Sequence, residues 1–448
     1  MNYLCKIGIK KIYLLLKNKI ISNYELVKNC LNNLYKLKIK NNFNIDIFFK
    51  ESLNFAKIID KKKLISIPIS IKNIFNIKNK KLTCNSKILK KYKSNFNSSI
   101  INVIKKKYFN ILSIDNCDEF CVGGTGLNNC DNYNIYNKKY ISGGSSSGSS
   151  INISFSGNLI SIGSDTGGSI RTPCSFLNLI GFKPTNGSIS RYGMVSYSSY
   201  LDNCSIISNN VEDCFYLFKI LNNKNIDINC NKNYFKICKK KKLLIIDYKE
   251  LFLELEYINI FNNIIYNFEK LNFNISKIKL NFNSFLNLYE SISAKEFYSN
   301  SLKFDGIKFG FKKKIYKNIN DYIKLNRIFS YNTKLKILKG NNFLNNYNLK
   351  IDQIKKMKIL FEKIFLNSDF LIIPTNIKHF KIKNNFFDLI DIFTTFSNIL
   401  GYPSINIRSN FKNHLPIGFQ IISNKNFDYD LLNIAFLYEN MTFNNYVY

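Results

Sequence analysis

The sequence predicts an α/β layered fold built on a mixed sheet, and three observations point there. Short apolar, strand-like runs alternate along the chain with stretches of helical periodicity. Apolar residues make up 46% of the 448 residues, enough for a sizeable core at this length. The 15% aromatic content, entirely Phe and Tyr, supplies the bulk to fill that core.

The elements follow in chain order. Ser22-Asn23-Tyr24-Glu25 has the form of a capping box, and Leu26, Cys30, Leu31 and Leu34 follow it at helical spacing. Leu64 to Ile71 alternates like a strand. Leu159-Ile160-Ser161-Ile162 is a second strand-like run, set between two Gly-rich segments. Leu243 to Asp247 and Phe370 to Pro374 read as short buried strands, and helical patterns cover 255–270 and 351–366. The polar, Lys/Asn-rich stretch near 222–242 reads as a surface excursion. No internal repeat is found, so residues 1–448 are expected to form a single domain that opens with a helical segment over 1–60.

Composition narrows the function. The formal net charge is +35, which suits an acidic partner such as tRNA. It equally suits a coding bias rich in Lys and Asn, because the lysines are spread along the chain and form only short runs, at Lys61–Lys63, Lys105–Lys107 and Lys239–Lys242. The 11 cysteines are odd in number and irregular in spacing, with no CxxC pair. That argues against a disulfide framework or a zinc ribbon and for reduced thiols. No apolar run reaches membrane-spanning length, and Lys interrupts the apolar stretch of residues 1–20. A cytoplasmic protein with no membrane partner is expected.

Glycine is concentrated. Of 19 glycines, 13 lie between Gly123 and Gly193. The same region holds the run Ser142-Gly143-Gly144-Ser145-Ser146-Ser147-Gly148-Ser149-Ser150 and then Gly163-Ser164-Asp165-Thr166-Gly167-Gly168-Ser169-Ile170-Arg171. A flexible linker would not carry a strand-like run between two such segments. Loops that let backbone approach a reaction centre would. The chemistry can be narrowed by elimination. Only two histidines exist, His379 and His414, both in late polar stretches. No P-loop is present. A serine-rich site without histidine needs another base, and a lysine buried among apolar groups can serve. Lys72 closes the run Ile65–Ile71 and has Ile74 and Phe75 beside it. By position alone it could equally be one more surface lysine.

These residues together resemble the amidase signature family, whose triad is a serine nucleophile, a bridging serine and a lysine. The family's D-T-G-G-S-I/V-R segment matches Asp165 to Arg171, which makes Ser169 the expected nucleophile. The bridging serine follows a Gly pair 24 residues earlier and maps to Ser145. The lysine segment matches Ile67-Pro68-Ile69-Ser70-Ile71-Lys72. The resemblance implies a central mixed β-sheet flanked by helices on both faces, with the triad in 61–215 and the remainder of the core in 216–448. It also implies a cis Gly144–Ser145 peptide bond, an oxyanion held by the N–H groups of Thr166, Gly167, Gly168 and Ser169, and no metal.

Within that family the chain resembles the glutamine-hydrolysing A subunits of tRNA-dependent amidotransferases over nearly its full length. The segments that carry this are Asp115 to Phe120, Gly181 to Gly187, Ser190 to Gly193, Ser198 to Asp202, Phe304 to Gly310 and Leu415 to Gln420. Arg327 and Asp391 match the residues that grip the α-carboxylate and α-amine of glutamine. The resemblance further implies B and C subunits as partners, Glu-tRNA(Gln) handled through the complex, and ATP and Mg²⁺ used at the partner B subunit with no cofactor on this chain. Four positions depart from the family pattern beside the triad: Ser66, Asn73, Ser142 and Ser147. A stand-alone amidase of the same family, acting on small amides, and a non-catalytic RNA-associated assembly protein are the alternatives.

Overall fold

The computed structural model describes residues 4–41, 45–222, 242–247, 255–311, 315–343, 347–384 and 389–443. Eleven strands among them form one sheet: β1 (Ile45–Ile47), β2 (Pro68–Lys72), β3 (Asn110–Asp115), β4 (Ile160–Asp165), β5 (Ile180–Lys183), β6 (Asn203–Ser208), β7 (Lys242–Ile246), β8 (Asn274–Ile278), β9 (Phe370–Pro374), β10 (Ser404–Lys412) and β11 (Leu415–Ser423). Their order across the sheet is β1-β3-β2-β4-β6-β5-β10-β11-β9-β7-β8. β2 runs parallel to β3 and β4, and β7 runs parallel to β8 and β9. The other neighbours are antiparallel. The sheet is mixed, as expected.

The apolar runs form central strands because both faces of the sheet are covered. Along β9, Phe370 and Ile372 enter one apolar core while Leu371 and Ile373 enter another, as the two-residue repeat of a strand requires. On the first face lie Leu26 and Leu34 of the helix Asn23–Asn41, Leu217 and Phe218 of Val211–Leu221, and Leu431 and Leu432 of Asp428–Phe443. The second face is covered by Phe282 and Phe285 of Phe282–Ser301, Phe361 of Tyr347–Asn367, and Phe396 of Thr395–Leu400.

The predicted elements are mostly found in place. The capping box closes reciprocally: Ser22 N–H donates to Glu25 Oε2 at 2.9 Å and Glu25 N–H to Ser22 Oγ at 3.1 Å. The helical patterns at 255–270 and 351–366 fall in Leu255–Lys270 and Tyr347–Asn367. The strand read from Leu64 starts only at Pro68, because Ser66 N–H is taken by Asn23 Oδ1 at 2.8 Å rather than by a neighbouring strand. The opening segment holds the helices Ile9–Lys17, Asn23–Asn41 and Phe49–Lys61, but it also contributes β1, which pairs with β3 at the sheet edge. Most of the 222–242 stretch lies outside the described residues. No helix among the described residues is long and apolar enough to cross a membrane.

The parallel trio β3-β2-β4 sets the site. Its strands end together at Asp115, Lys72 and Asp165, and loops at the carboxyl ends of parallel strands are where α/β sheets hold reactive groups. Both Gly/Ser segments meet that edge.

Candidate active site

Lys72 is the last residue of β2 and is completely buried. Its Nζ donates to Ser145 Oγ at 2.8 Å, Ser146 Oγ at 2.8 Å and Ser164 Oγ at 2.9 Å. A buried lysine needs such partners, and here they are three hydroxyls. Among the described residues no carboxylate lies within ion-pair distance of it. Ser145 follows the cis peptide bond Gly144–Ser145 and sits just ahead of the buried helix Ser147–Ser154. The lysine therefore reaches the serine-rich segment through direct hydrogen bonds and is not a surface residue.

The second segment is tied around one buried ion pair. Arg171 Nη2 donates to Asp165 Oδ1 at 2.9 Å and Nε to Oδ2 at 3.0 Å, with both side chains fully buried. Asp165 also accepts from the N–H groups of Gly168 at 3.0 Å and Ile170 at 3.2 Å. Arg171 reaches across to Thr394 O, Ser397 Oγ, Asn398 Oδ1 and Gln420 Oε1. Burial alone would raise the Asp165 carboxyl, but the Arg171 charge and its hydrogen bonds hold it down at about 2. The bidentate pair thus fixes the turn from Asp165 to Arg171 and with it Ser169.

Ser169 is 8% exposed while Ser145 and Lys72 are fully buried, so of the three it alone borders open space. Its carbonyl accepts from Ser146 N–H at 3.1 Å, which lays the two Gly/Ser segments side by side. Among the described residues its hydroxyl has no hydrogen-bond partner. Of the four N–H groups expected to face an oxyanion, that of Gly168 is already donated to Asp165. Those of Thr166, Gly167 and Ser169 have no acceptor among the described residues. Gly168 serves the turn in another way. Its φ is +140°, and a Cβ there would run into Thr394 Oγ1 and approach Asp391 Oδ1.

The two expected substrate residues sit differently. Asp391 borders the loops: Thr172 Oγ1 donates to its Oδ1 at 3.2 Å, and it flanks both Gly124 and Gly168. Desolvation, with the Asp165 charge nearby, pushes its carboxyl well above the usual carboxylate range. A carboxylate placed so, with no cation paired to it among the described residues, suits an incoming ammonium. Arg327 caps the helix Ile319–Asn326, donates from Nε to Phe304 O at 3.1 Å and lies over the Phe329 ring. No direct contact joins it to the Gly/Ser loops. It is linked to them through Ser330, whose N–H donates to Glu119 Oε2 at 2.7 Å and whose Oγ donates to Asn128 Oδ1 at 2.7 Å.

Several residues of the site carry no local signal in the sequence. Tyr289, from the helix Phe282–Ser301, packs where a side chain on Gly167 would lie. Asp118 accepts from the N–H groups of Gly124, Gly126 and Asn128 and organises the Gly-rich loop before the first serine. Burial pushes its carboxyl up to about 6. Ser146 and Ser164 lie inside the runs already singled out, but only the fold shows that they share Lys72 with Ser145. The four departures are each absorbed locally. Asn73 exchanges hydrogen bonds with Thr83, Ser66 donates to Tyr108 O, Ser142 donates to Asn132 O, and Ser147 accepts from Asn132.

Comparisons with known proteins agree with this geometry. The amidase family model matches residues 25–432. One of two numbered A subunits of glutamyl-tRNA(Gln) amidotransferase from Clostridium acetobutylicum, the first, is 31% identical over 465 residues, covering 96% of this chain and 96% of that protein. The corresponding A-type chain of the glutamyl-tRNA(Gln) amidotransferase of Borreliella afzelii is 32% identical over 469 residues, covering 93% and 95%. Among solved structures, an amidase superposes with a TM-score of 0.83 at 17% identity over 97% of this chain and 100% of its own. The A-type chain of the Thermotoga maritima glutamyl-tRNA(Gln) amidotransferase superposes with a TM-score of 0.76 at 23% identity over 93% and 91%. At these identities the two structures speak to the fold alone.

Proposed function

The chain belongs to the amidase family, and we propose that within it this protein is the glutaminase subunit of a tRNA-dependent amidotransferase. The observation that carries the chemistry is the fully buried Lys72 hydrogen-bonded to Ser145 at 2.8 Å, beside the loop that presents Ser169. The relatives that cover nearly the whole chain carry the substrate and the setting.

The reaction is acyl transfer through serine. Lys72, in its amine form, accepts a proton through Ser145 as Ser169 Oγ attacks the side-chain amide carbon of glutamine. Charge develops on the amide oxygen. The N–H groups of Thr166, Gly167 and Ser169 are the donors left to meet it, and such donors are typically worth about 3–4 kcal/mol each. Gly168 supports the hole by anchoring the turn on Asp165. Collapse of the adduct breaks the carbon–nitrogen bond as the proton returns through Ser145 to the leaving nitrogen, which departs as ammonia. Water then cleaves the γ-glutamyl ester on Ser169 to glutamate. Arg327 takes the α-carboxylate and Asp391 the α-ammonium of the substrate. The ammonia passes to a B subunit, where ATP and Mg²⁺ serve the conversion of Glu-tRNA(Gln) to Gln-tRNA(Gln). A small C subunit joins the two. ATP and tRNA are not assigned to residues of this chain.

Acid quenching of the enzyme during turnover of glutamine, followed by peptide mass spectrometry, tests the covalent step. A glutamyl adduct confined to the peptide carrying Ser169 is expected. An adduct on Cys121 or Cys130 instead, or a chain that turns over glutamine with no adduct on any serine, would overturn the assignment.

A further inference from the structure

A cleft of about 370 Å³ opens at the end of the sheet away from the catalytic loops. Asn110 and Ile111, which begin β3, line it, whereas Asp115 at the other end of the same strand lies beside Lys72. Its inner wall is apolar, built from Phe55, Ile77, Phe109 and Ile111. Its charged lining is one-sided, with Lys78, Lys80 and Lys105 against the single acid Glu51. Lys80 is held in place, paired with Glu51 and lying 4.1 Å over the Phe48 ring. Lys78 and Lys105 have no acidic partner among the described residues. Partial burial, with the Lys80 charge nearby, lowers the affinity of Lys105 for its proton, as expected of a cation short of a counter-ion.

We infer that this cleft binds a small ligand with an anionic head on a flat apolar body, such as an aromatic carboxylate or a nucleoside phosphate. The volume falls in the range of small-molecule sites, which combine an apolar wall with a few converging polar groups. The anion would sit among Lys78, Lys80 and Lys105, supplying the charge that the site lacks. The ring would rest on Phe55 and Phe109. A cationic or neutral ligand would leave the lysines uncompensated, and a purely polar anion would leave the apolar wall bare.

The chain contains no tryptophan, so Phe55→Trp places a unique fluorophore in the wall of the cleft. Anilinonaphthalene sulfonate, an aromatic anion, is the probe, titrated into the full chain. Saturable energy transfer from the introduced indole is expected. Adding Lys80→Ala and Lys105→Ala should weaken it roughly tenfold or more, with the thermal midpoint unchanged. Adenosine monophosphate and benzoate are then used as competitors. Displacement by the nucleotide alone marks a phosphate-bearing ligand, and displacement by benzoate marks a carboxylate. Absent energy transfer, or transfer equally tight after both lysines are removed, would overturn the proposal. Neither Lys80 nor Lys105 belongs to the triad, so glutamine hydrolysis gives an independent check that the variants are folded.

Discussion

Lys72, Ser145 and Ser169 differ in what surrounds them, and their substitutions should differ accordingly. Ser169 borders open space with no hydrogen-bond partner among the described residues, so Ser169→Ala should cost less than about 1 kcal/mol of stability. It should still lower glutamine turnover by on the order of 10⁴-fold or more, as read by glutamate release and thermal unfolding on the same sample. Breaking the buried Asp165–Arg171 pair is a stability effect first. Arg171→Met should cost about 3–5 kcal/mol, because it strands a buried carboxylate. Its pH dependence has a definite sign. Asp165 is held at about 2 in the folded protein, below its ordinary value of about 3.9. The stability it contributes is therefore present above about pH 4 and fades as the pH falls toward 2. In urea titrations the gap between the parent and Arg171→Met should narrow across that window. Asp391 has the opposite shift. Its raised affinity for protons predicts that KM for glutamine rises as the pH falls, and that Asp391→Asn raises KM and flattens that dependence. The triad positions were legible because three separated motifs agreed in order and spacing. Tyr289 and Asp118 were not, because their contacts to the site come from the fold. The reassignment of Gly168 from oxyanion donor to turn anchor also needed coordinates, since a motif does not say where each N–H points.

At the scale of elements, the site is two Gly/Ser loops held against the ends of three parallel strands. Gly168 is the tightest point, with φ at +140° and Thr394 and Asp391 packed against its Cα. Gly168→Ala should therefore distort the turn that carries Ser169. The measurement is kcat and thermal midpoint together: a loss of roughly 100-fold or more in kcat, with a fall of a few degrees in the midpoint, is expected. An unchanged kcat would mean the turn has slack that its packing does not suggest. Elements with a strong period were read well. Phe370 to Pro374 and the helix over 255–270 were found where the pattern put them. The strand starting at Leu64 was read too early, because alternation continues through Ser66 while that residue's N–H has already turned to Asn23. β1 was missed inside a helical segment. At three residues it is too short to show a period.

The whole molecule explains why one sheet can hold the site. β5 and β6, adjacent in sequence to the catalytic loops, join β10 and β11 from near the end of the chain. Arg171 spans the same junction by bonding to Thr394, Ser397, Asn398 and Gln420. The later part of the chain thus braces the loop that the earlier part supplies. That pairing joins residues more than 200 positions apart, which no local pattern could reveal. The mixed sheet and its two covered faces were foreseeable from the alternation of strands and helices, but the order of the strands was not. The positive charge remains a property of the whole chain, with the cleft at the β3 start its most structured expression.

Glutamate release from glutamine by this chain co-produced with B and C subunits, with and without Glu-tRNA and ATP, tests the central claim most directly. The account predicts release that rises with partners, tRNA and ATP and disappears in Ser169→Ala. Release by the lone chain that is indifferent to partners and faster on other small amides, or none from a folded complex, would contradict it.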